Sequence, residues 1–352
     1  MDARRVFRHP WAAARTRALA RMTAVALLLA VLLAACGAPA GTSSPGANPT
    51  ATAAAPTSSA PAPTASPTAE PSPATGFPAT LVDDEGTEVA IESEPQRIVS
   101  LTPAATETLF ALGIGDRVVG KVEDFALYPP EAAAVPDVAG FGTVDVEAIV
   151  AYRADLVIAG GSNFNPPEAI ARLRSLGIPT IVIFAPDLET ALADIALIGR
   201  ATGQDAAAAE IVDDIEEALD AVAEATADLP KPRVFYELDA SNGYFGPAPD
   251  YFGTEMIRIA GGDPLTSGTP GVYQIQPESI VSFDPEVILL GDAAYGVTPD
   301  QVAARAGWSA ISAVRTGDVR PIDDVIVTRP GPRLADGIRA LAIAIHPDLV
   351  LP

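Results

Sequence analysis

The chain has 352 residues and carries 45 acidic side chains against 22 lysines and arginines, for a formal net charge of −23. Such a polyanion repels nucleic acid and anionic lipid headgroups, so neither is expected as a partner. One cysteine, Cys36, excludes an internal disulfide and any cysteine-built metal site.

In chain order, residues 1–35 read as an export signal. Arg4, Arg5, Arg8, Arg15, Arg17 and Arg21 form a basic start. The apolar run at 23–33 is shorter than the roughly 18–20 residues a membrane-spanning helix needs. It ends in Leu33-Ala34-Ala35-Cys36, which resembles the lipobox of bacterial lipoproteins. By that resemblance Cys36 is lipidated, becomes the mature N-terminus and anchors the protein to a membrane. Arg4-Arg5-Val6-Phe7 partly resembles a twin-arginine signal, although it stands far from the apolar run. The segment 36–76 begins with that cysteine and continues almost entirely in Ala, Pro, Thr, Ser and Gly. This composition cannot bury a core and reads as a tether, on the order of 35 Å long as a flexible coil. Without the six arginines and Asp2 of the signal, the net charge becomes −28. The remainder is long enough for two lobes with their own cores.

The folded part opens with an expected hairpin at 80–91 around Asp84-Glu85-Gly86. A short strand at 97–101 follows. Thr102 is placed to cap a helix that starts with Pro103 and runs to Leu112, where Gly113 can end it in the left-handed conformation. Residues 117–122 read as a second strand. Then comes the first copy of a repeated pattern: Asp145-Val146-Glu147-Ala148-Ile149-Val150-Ala151, a turn through Asp155, and Leu156-Val157-Ile158-Ala159-Gly160. A helix at 168–176 and a strand at 179–184 complete a first α/β unit. Alternating strands and helices argue for parallel sheet.

Residues 205–228 differ. Ile211, Ile215, Leu219 and Val222 mark one face of a helix about 36 Å long. Pro230 and Pro232 stop it, and no Pro or Gly interrupts it, so a stiff rod is expected. A second α/β unit follows, with a strand at 233–238 and a helix at 252–260 closed by Gly261-Gly262. The second copy of the pattern is Gln276-Pro277-Glu278-Ser279-Ile280-Val281-Ser282, then Asp284, then Val287-Ile288-Leu289-Leu290-Gly291. A helix at 299–306, a strand at 319–322 and a terminal helix at 334–345 end the chain. Glu147 and Glu278 stand 131 positions apart, too far for a solenoid repeat and suited to two similar lobes with a cleft between them.

Motifs of enzyme chemistry are weak. Gly115-Asp116-Arg117-Val118-Val119-Gly120-Lys121-Val122 approaches a phosphate-binding loop, but Val122 lacks the hydroxyl that holds magnesium, and Val118 and Val119 favour a strand. His346 is the one histidine outside the signal, so no histidine cluster for zinc or manganese and no resident cofactor is expected. Aromatics say more. Phe125, Tyr128, Phe141, Phe164, Tyr244, Phe245, Tyr273 and Tyr295 fall in expected loops. Several follow strand C-termini, where open α/β sheets bind ligands. Singly each could pack beneath its own loop; as a set they suit a flat, partly apolar ligand.

Arg97-Ile98-Val99-Ser100-Leu101-Thr102-Pro103 with Glu107, Tyr128-Pro129, residues 146–151 and Asp155-Leu156-Val157-Ile158 resemble the periplasmic binding proteins of cobalamin and iron-siderophore importers. The resemblance spans residues 79–348. It implies a class III fold: α/β, with two α/β lobes at 77–204 and 232–352 joined by a single rigid helix within 205–231. It also implies a monomer, not an enzyme, that captures a metal chelate in the cleft and delivers it to the permease dimer of an ABC transporter. Asp124-Phe125, Tyr128-Pro129-Pro130 and Arg329-x-x-Pro-Arg333 are most similar to the cobalamin binders. On that basis Phe125, Tyr128, Phe164, Tyr244, Phe245, Tyr273, Tyr295 and Arg329 are the expected ligand contacts. A tryptophan common in those binders is replaced by Tyr273. A ferric siderophore or haem is the second ligand expected; an enzyme or a structural surface lipoprotein is a remoter alternative. The same resemblance makes Glu147 and Glu278 the docking carboxylates, one per lobe, toward permease arginines.

Overall fold

In the computed structural model, residues 76–162 and 164–351 are described. The export signal, Cys36 and most of the tether lie outside them. The hairpin forms as expected: β1 (Ala79–Val82) pairs antiparallel with β2 (Glu88–Ile91). Its turn is held by Asp83, whose carboxylate accepts from the Glu85 and Thr87 N–H groups.

The first lobe is a six-stranded sheet. Its strands are β3 (Ile98–Ser100), β4 (Val118–Val122), β5 (Asp137–Gly140), β6 (Thr143–Val144), β7 (Leu156–Gly160) and β8 (Thr180–Ile183), in the order β6-β5-β4-β3-β7-β8. All pairings are parallel except β5 with β6. β3, β7 and β8 are buried along their whole length, which is why they read as unbroken apolar runs. Between them lie α1 (Pro103–Ala111), α2 (Val146–Ala151) and α3 (Pro167–Ser175). Thr102 caps α1 by accepting from the Ala105 N–H, and Gly113 turns the chain out at φ 77°. The loop-like glycine motif is a strand: Val118–Val122 sits inside the sheet, and the buried Lys121 ammonium pairs with Asp137 instead of facing an open phosphate site.

Two long helices follow. α4 (Leu188–Thr202), absent from the sequence reading, is capped by Asp187 and closed by Gly203 at φ 72°. α5 (Asp205–Thr226) is the expected rod. Its centre line differs slightly from the sequence stripe. Ala208, Ile215, Ala218 and Val222 are buried, whereas Ile211 and Leu219 only flank them. The cause is close packing on α4: a Cβ built on Gly199 would lie 2.4 Å from that of Ala208, so small residues must occupy the crossing.

The second lobe is built on β9 (Arg233–Glu237), β11 (Asp263–Pro264), β13 (Val287–Leu290) and β14 (Val319–Pro321), all parallel in the order β11-β9-β13-β14. A separate antiparallel pair joins β10 (Tyr244–Phe245) to β12 (Gln274–Ile275). The helices are α6 (Phe252–Ile259), α7 (Pro277–Phe283), α8 (Pro299–Ala303), α9 (Ser312–Thr316), α10 (Asp324–Thr328) and α11 (Leu334–Ile345). The repeat is structural as well as sequential. Ile149 of α2 and Ile280 of α7 are both fully buried. The turns that follow each hold a non-glycine residue at positive φ, Arg153 at 53° and Asp284 at 50°, again 131 positions apart.

Candidate cleft between the lobes

The parallel strands of each lobe carry their C-terminal ends toward the other lobe. Phe125 follows β4, and Tyr295 ends the 3-10 turn that follows β13. Their rings meet 5.8 Å apart at 53°. Both are open to solvent, at 68% and 57% exposure, despite their apolar area. Phe141 after β5 and Phe164 after β7 are exposed too and pack edge to face, with centroids 6.3 Å apart. Exposed Phe184 after β8 extends this fringe. The sequence reading passed over it although it stands at a strand end like the others. Burial of the Tyr295 phenol, then nearby Asp324, pushes its pKa up.

The remaining expected contacts sit differently. Tyr128 lies under the guanidinium of Arg333, whose central carbon is 3.7 Å from the ring centroid. Tyr244 and Phe245 form a strand instead of a loop, because their backbone pairs with Ile275 and Gln274. Tyr244 is half-buried against Trp308, with centroids 5.0 Å apart. Tyr273 is half-buried, edge-on to Tyr251, and burial, then Asp250, raises its phenol pKa.

Arg329 is engaged across the cleft. It lies between α10 and α11 of the second lobe. Its guanidinium donates to both Asp124 oxygens at 2.5 and 2.8 Å and to Glu107 at 2.7 Å, both in the first lobe. Arg333, four residues on, donates twice to Glu107 at 2.8 Å. Glu107 and Asp124 are buried, so the four groups form a desolvated, charge-balanced lock. Arg329 also lies over the Phe125 ring at 5.6 Å. No local pattern could have joined these residues, because more than two hundred positions separate the partners.

A recess of about 1250 Å³ lies behind the lock, between α1, α5 and α11, with Glu107, Tyr128 and Arg333 in its wall. Apart from Tyr128 the cleft aromatics do not line it. Among the described residues no three His, Cys, Asp or Glu side chains converge as a metal site, and no helix is long and apolar enough to cross a membrane.

Glu147 and Glu278 occupy the first turns of α2 and α7, one per lobe, and both are exposed.

Two α/β lobes joined by one helix, with exposed aromatics at their strand ends, are an arrangement suited to holding a ligand. Residues 98–325 match the family described as "Periplasmic binding protein", and the chain belongs to that family. It is 34% identical over 277 residues to an uncharacterized ABC transporter substrate-binding lipoprotein, YvrC, of Bacillus subtilis, covering 77% of this chain and 87% of that one. It is also 34% identical over 285 residues to a cobalamin-binding protein of Halobacterium salinarum, covering 78% and 75% of the two chains. Among solved structures, the periplasmic heme-binding protein RhuT from Roseiflexus sp. RS-1 is similar, with a TM-score of 0.63 and 27% identity, covering 72% of this chain and 98% of that one.

Proposed function

We propose that the protein works outside the cytoplasm as a lipid-anchored, monomeric receptor, with lobes at 77–204 and 232–352. It takes up an intact corrinoid between the strand ends of the two lobes and delivers it to the permease dimer of an ABC importer. The carrying observation is the exposed aromatic fringe of Phe125, Phe141, Phe164 and Tyr295, drawn from both lobes. Aromatic faces suit a broad, partly apolar macrocycle. The cobalamin-binding relative supports this ligand class.

Haem or a ferric siderophore is the second reading, favoured by the likeness to RhuT. Haem iron takes a protein axial ligand, and tyrosine can supply one as phenolate. The cobalamin-binding relative shares more identity, 34% over 285 residues against 27%, which keeps the corrinoid first. The test is thermal unfolding with cyanocobalamin, haemin and ferric desferrioxamine. At 100 times its dissociation constant a ligand adds about 2.7 kcal/mol to stability. A shift with cyanocobalamin alone is expected; a shift with haemin or the siderophore alone transfers the assignment to that class.

Glu147 and Glu278 are the proposed docking carboxylates. Each can complement its helix dipole, a local effect of about 0.3–1 kcal/mol. That effect does not account for the matched pair, exposed on equivalent helices of both lobes. Contacts on separate lobes would orient the cleft over the pore by charge complementarity. The double variant Glu147→Arg, Glu278→Arg should keep its ligand affinity and lose transport; unimpaired uptake would refute the assignment.

A further inference from the structure

Beneath the second-lobe side of the cleft lies a charge cluster that the proposed capture does not use. Glu237, at the C-terminal end of β9, is 0% exposed. It accepts two hydrogen bonds from the Arg305 guanidinium, at 2.5 and 2.7 Å. Arg305 lies over two rings, Tyr244 at 5.1 Å and Trp308 at 4.6 Å. Asp292 is 3% exposed, in the 3-10 turn Gly291–Tyr295, and neither carboxylate oxygen has a hydrogen-bond donor. Tyr295 ends that same turn. One guanidinium therefore serves two buried carboxylates.

The groups facing Asp292 are few. Glu237 comes from β9 and Arg305 from the segment after α8, where it stacks on Tyr244 of β10. Asp324 of α10, bonded to the Tyr236 hydroxyl at 2.5 Å, stands where a Cβ added to Gly291 would lie, 2.8 Å from its Oδ1. Apart from Arg305 these groups are acidic or neutral. A proton shared between Asp292 and Glu237 supplies the missing donor and leaves one negative charge opposite Arg305. Loss of that proton leaves two buried anions with one cation between them, and Arg305 is drawn away from its stack on Tyr244 and Trp308.

We propose that Glu237, Arg305 and Asp292 form a proton-operated support for the second-lobe wall of the cleft, positioning Tyr244 and the Tyr295 turn when Asp292 is protonated and loosening them when it ionises. Burial first, then Glu237, raises the Asp292 pKa to about 7, so the change falls in the range an extracytoplasmic protein meets. The inference that the wall holds ligand rests on the cleft reading above. By linkage, a ligand that favours the protonated form binds more weakly as pH rises, up to about tenfold for each unit by which it raises that pKa.

Two measurements test it. The chain contains two tryptophans, Trp11 and Trp308. In the full chain carrying Trp11→Phe, Trp308 emission is titrated without ligand from pH 5.5 to 8.5. A transition centred near pH 7 that disappears in Asp292→Asn is expected. No transition, or one that survives Asp292→Asn, overturns the support. If Asp292→Asn does not fold, Arg305→Lys, which alters the two-bond grip, should displace the midpoint; an unmoved midpoint counts against the proposal. Cyanocobalamin affinity is then compared at pH 6 and pH 8. A fall of about threefold or more, abolished with the transition, is expected, and equal affinities disconnect the cluster from the cleft. If cyanocobalamin binds at neither pH, the corrinoid reading fails, and the Trp308 titration alone decides the support.

Discussion

Asp194 shows how one side chain can tie stability to acidity. It is buried on α4 beside Asp84 of the β1–β2 turn, with one carboxylate oxygen unpartnered. Burial first, then the charge of Asp84, raises its pKa to about 9. Between the ordinary carboxylate range and pH 9 the folded chain therefore holds a proton that the unfolded chain has lost. Stability falls as pH rises through that window and levels off above it. Asp292 acts in the same direction but only up to about pH 7, so the interval from pH 7 to 9 isolates Asp194. Asp194→Asn keeps a donor toward Asp84 and carries no charge. Its melting temperature relative to the parent should climb across that interval by about 4–8 °C, the equivalent of about 2 kcal/mol in a chain of this size. Parallel curves for the two proteins would show that Asp194 is not the group responsible.

At the scale of elements, legibility followed the range of the signal. Local signals worked: the Thr102 cap with Pro103, the left-handed Gly113 and the apolar runs of β7 and β13 place their elements where the structure has them. The paired pattern also led to α2 and α7, because a first-turn glutamate, one buried isoleucine and an apolar strand recur in one register, although Asp145 caps its helix with its side chain and Gln276 does not. α4 was missed although Asp187 and Gly203 bracket it and Leu188, Ala191, Ile195, Ile198 and Thr202 recur at intervals of three and four; only Gly203 and Gln204 separate it from α5. The short strands β5, β6, β10, β11 and β12 were missed because two to four residues hold no period; their partners define them. In the cleft, exposed aromatics at strand ends were legible. The Arg329 and Arg333 lock and the Glu237–Arg305–Asp292 cluster were not, because tertiary contact alone assembles them.

For the molecule as a whole, the two lobes are held by more than their connecting helix. The lock buries two guanidinium groups and two carboxylates at the lobe interface. Removing one partner of such a set leaves the others desolvated and unpaired, so Arg329→Ala should lower unfolding free energy by about 3–5 kcal/mol. Small-angle scattering of the parent protein should be nearly superimposable with and without cyanocobalamin, whereas Arg329→Ala should broaden the distance distribution. A marked compaction of the parent on adding ligand would show a hinge where a lock is expected.

The apolar cluster under the sheets carries this further. It includes Ile98, Leu109 and Ile183 of the first lobe, Ile198 of α4, Ile215 and Val222 of α5, and Tyr236, Met256, Leu289 and Ile338 of the second. Each lobe also keeps an interior of its own, around Val157 and Leu173 in the first and around Phe235 and Trp308 in the second, but this cluster is common to both. Cutting the chain at either end of α5 would give each fragment half of an oily seam facing water. A receptor with a cleft down its middle therefore folds around a seam that both halves must complete, and a half made by itself would need that seam covered by something else.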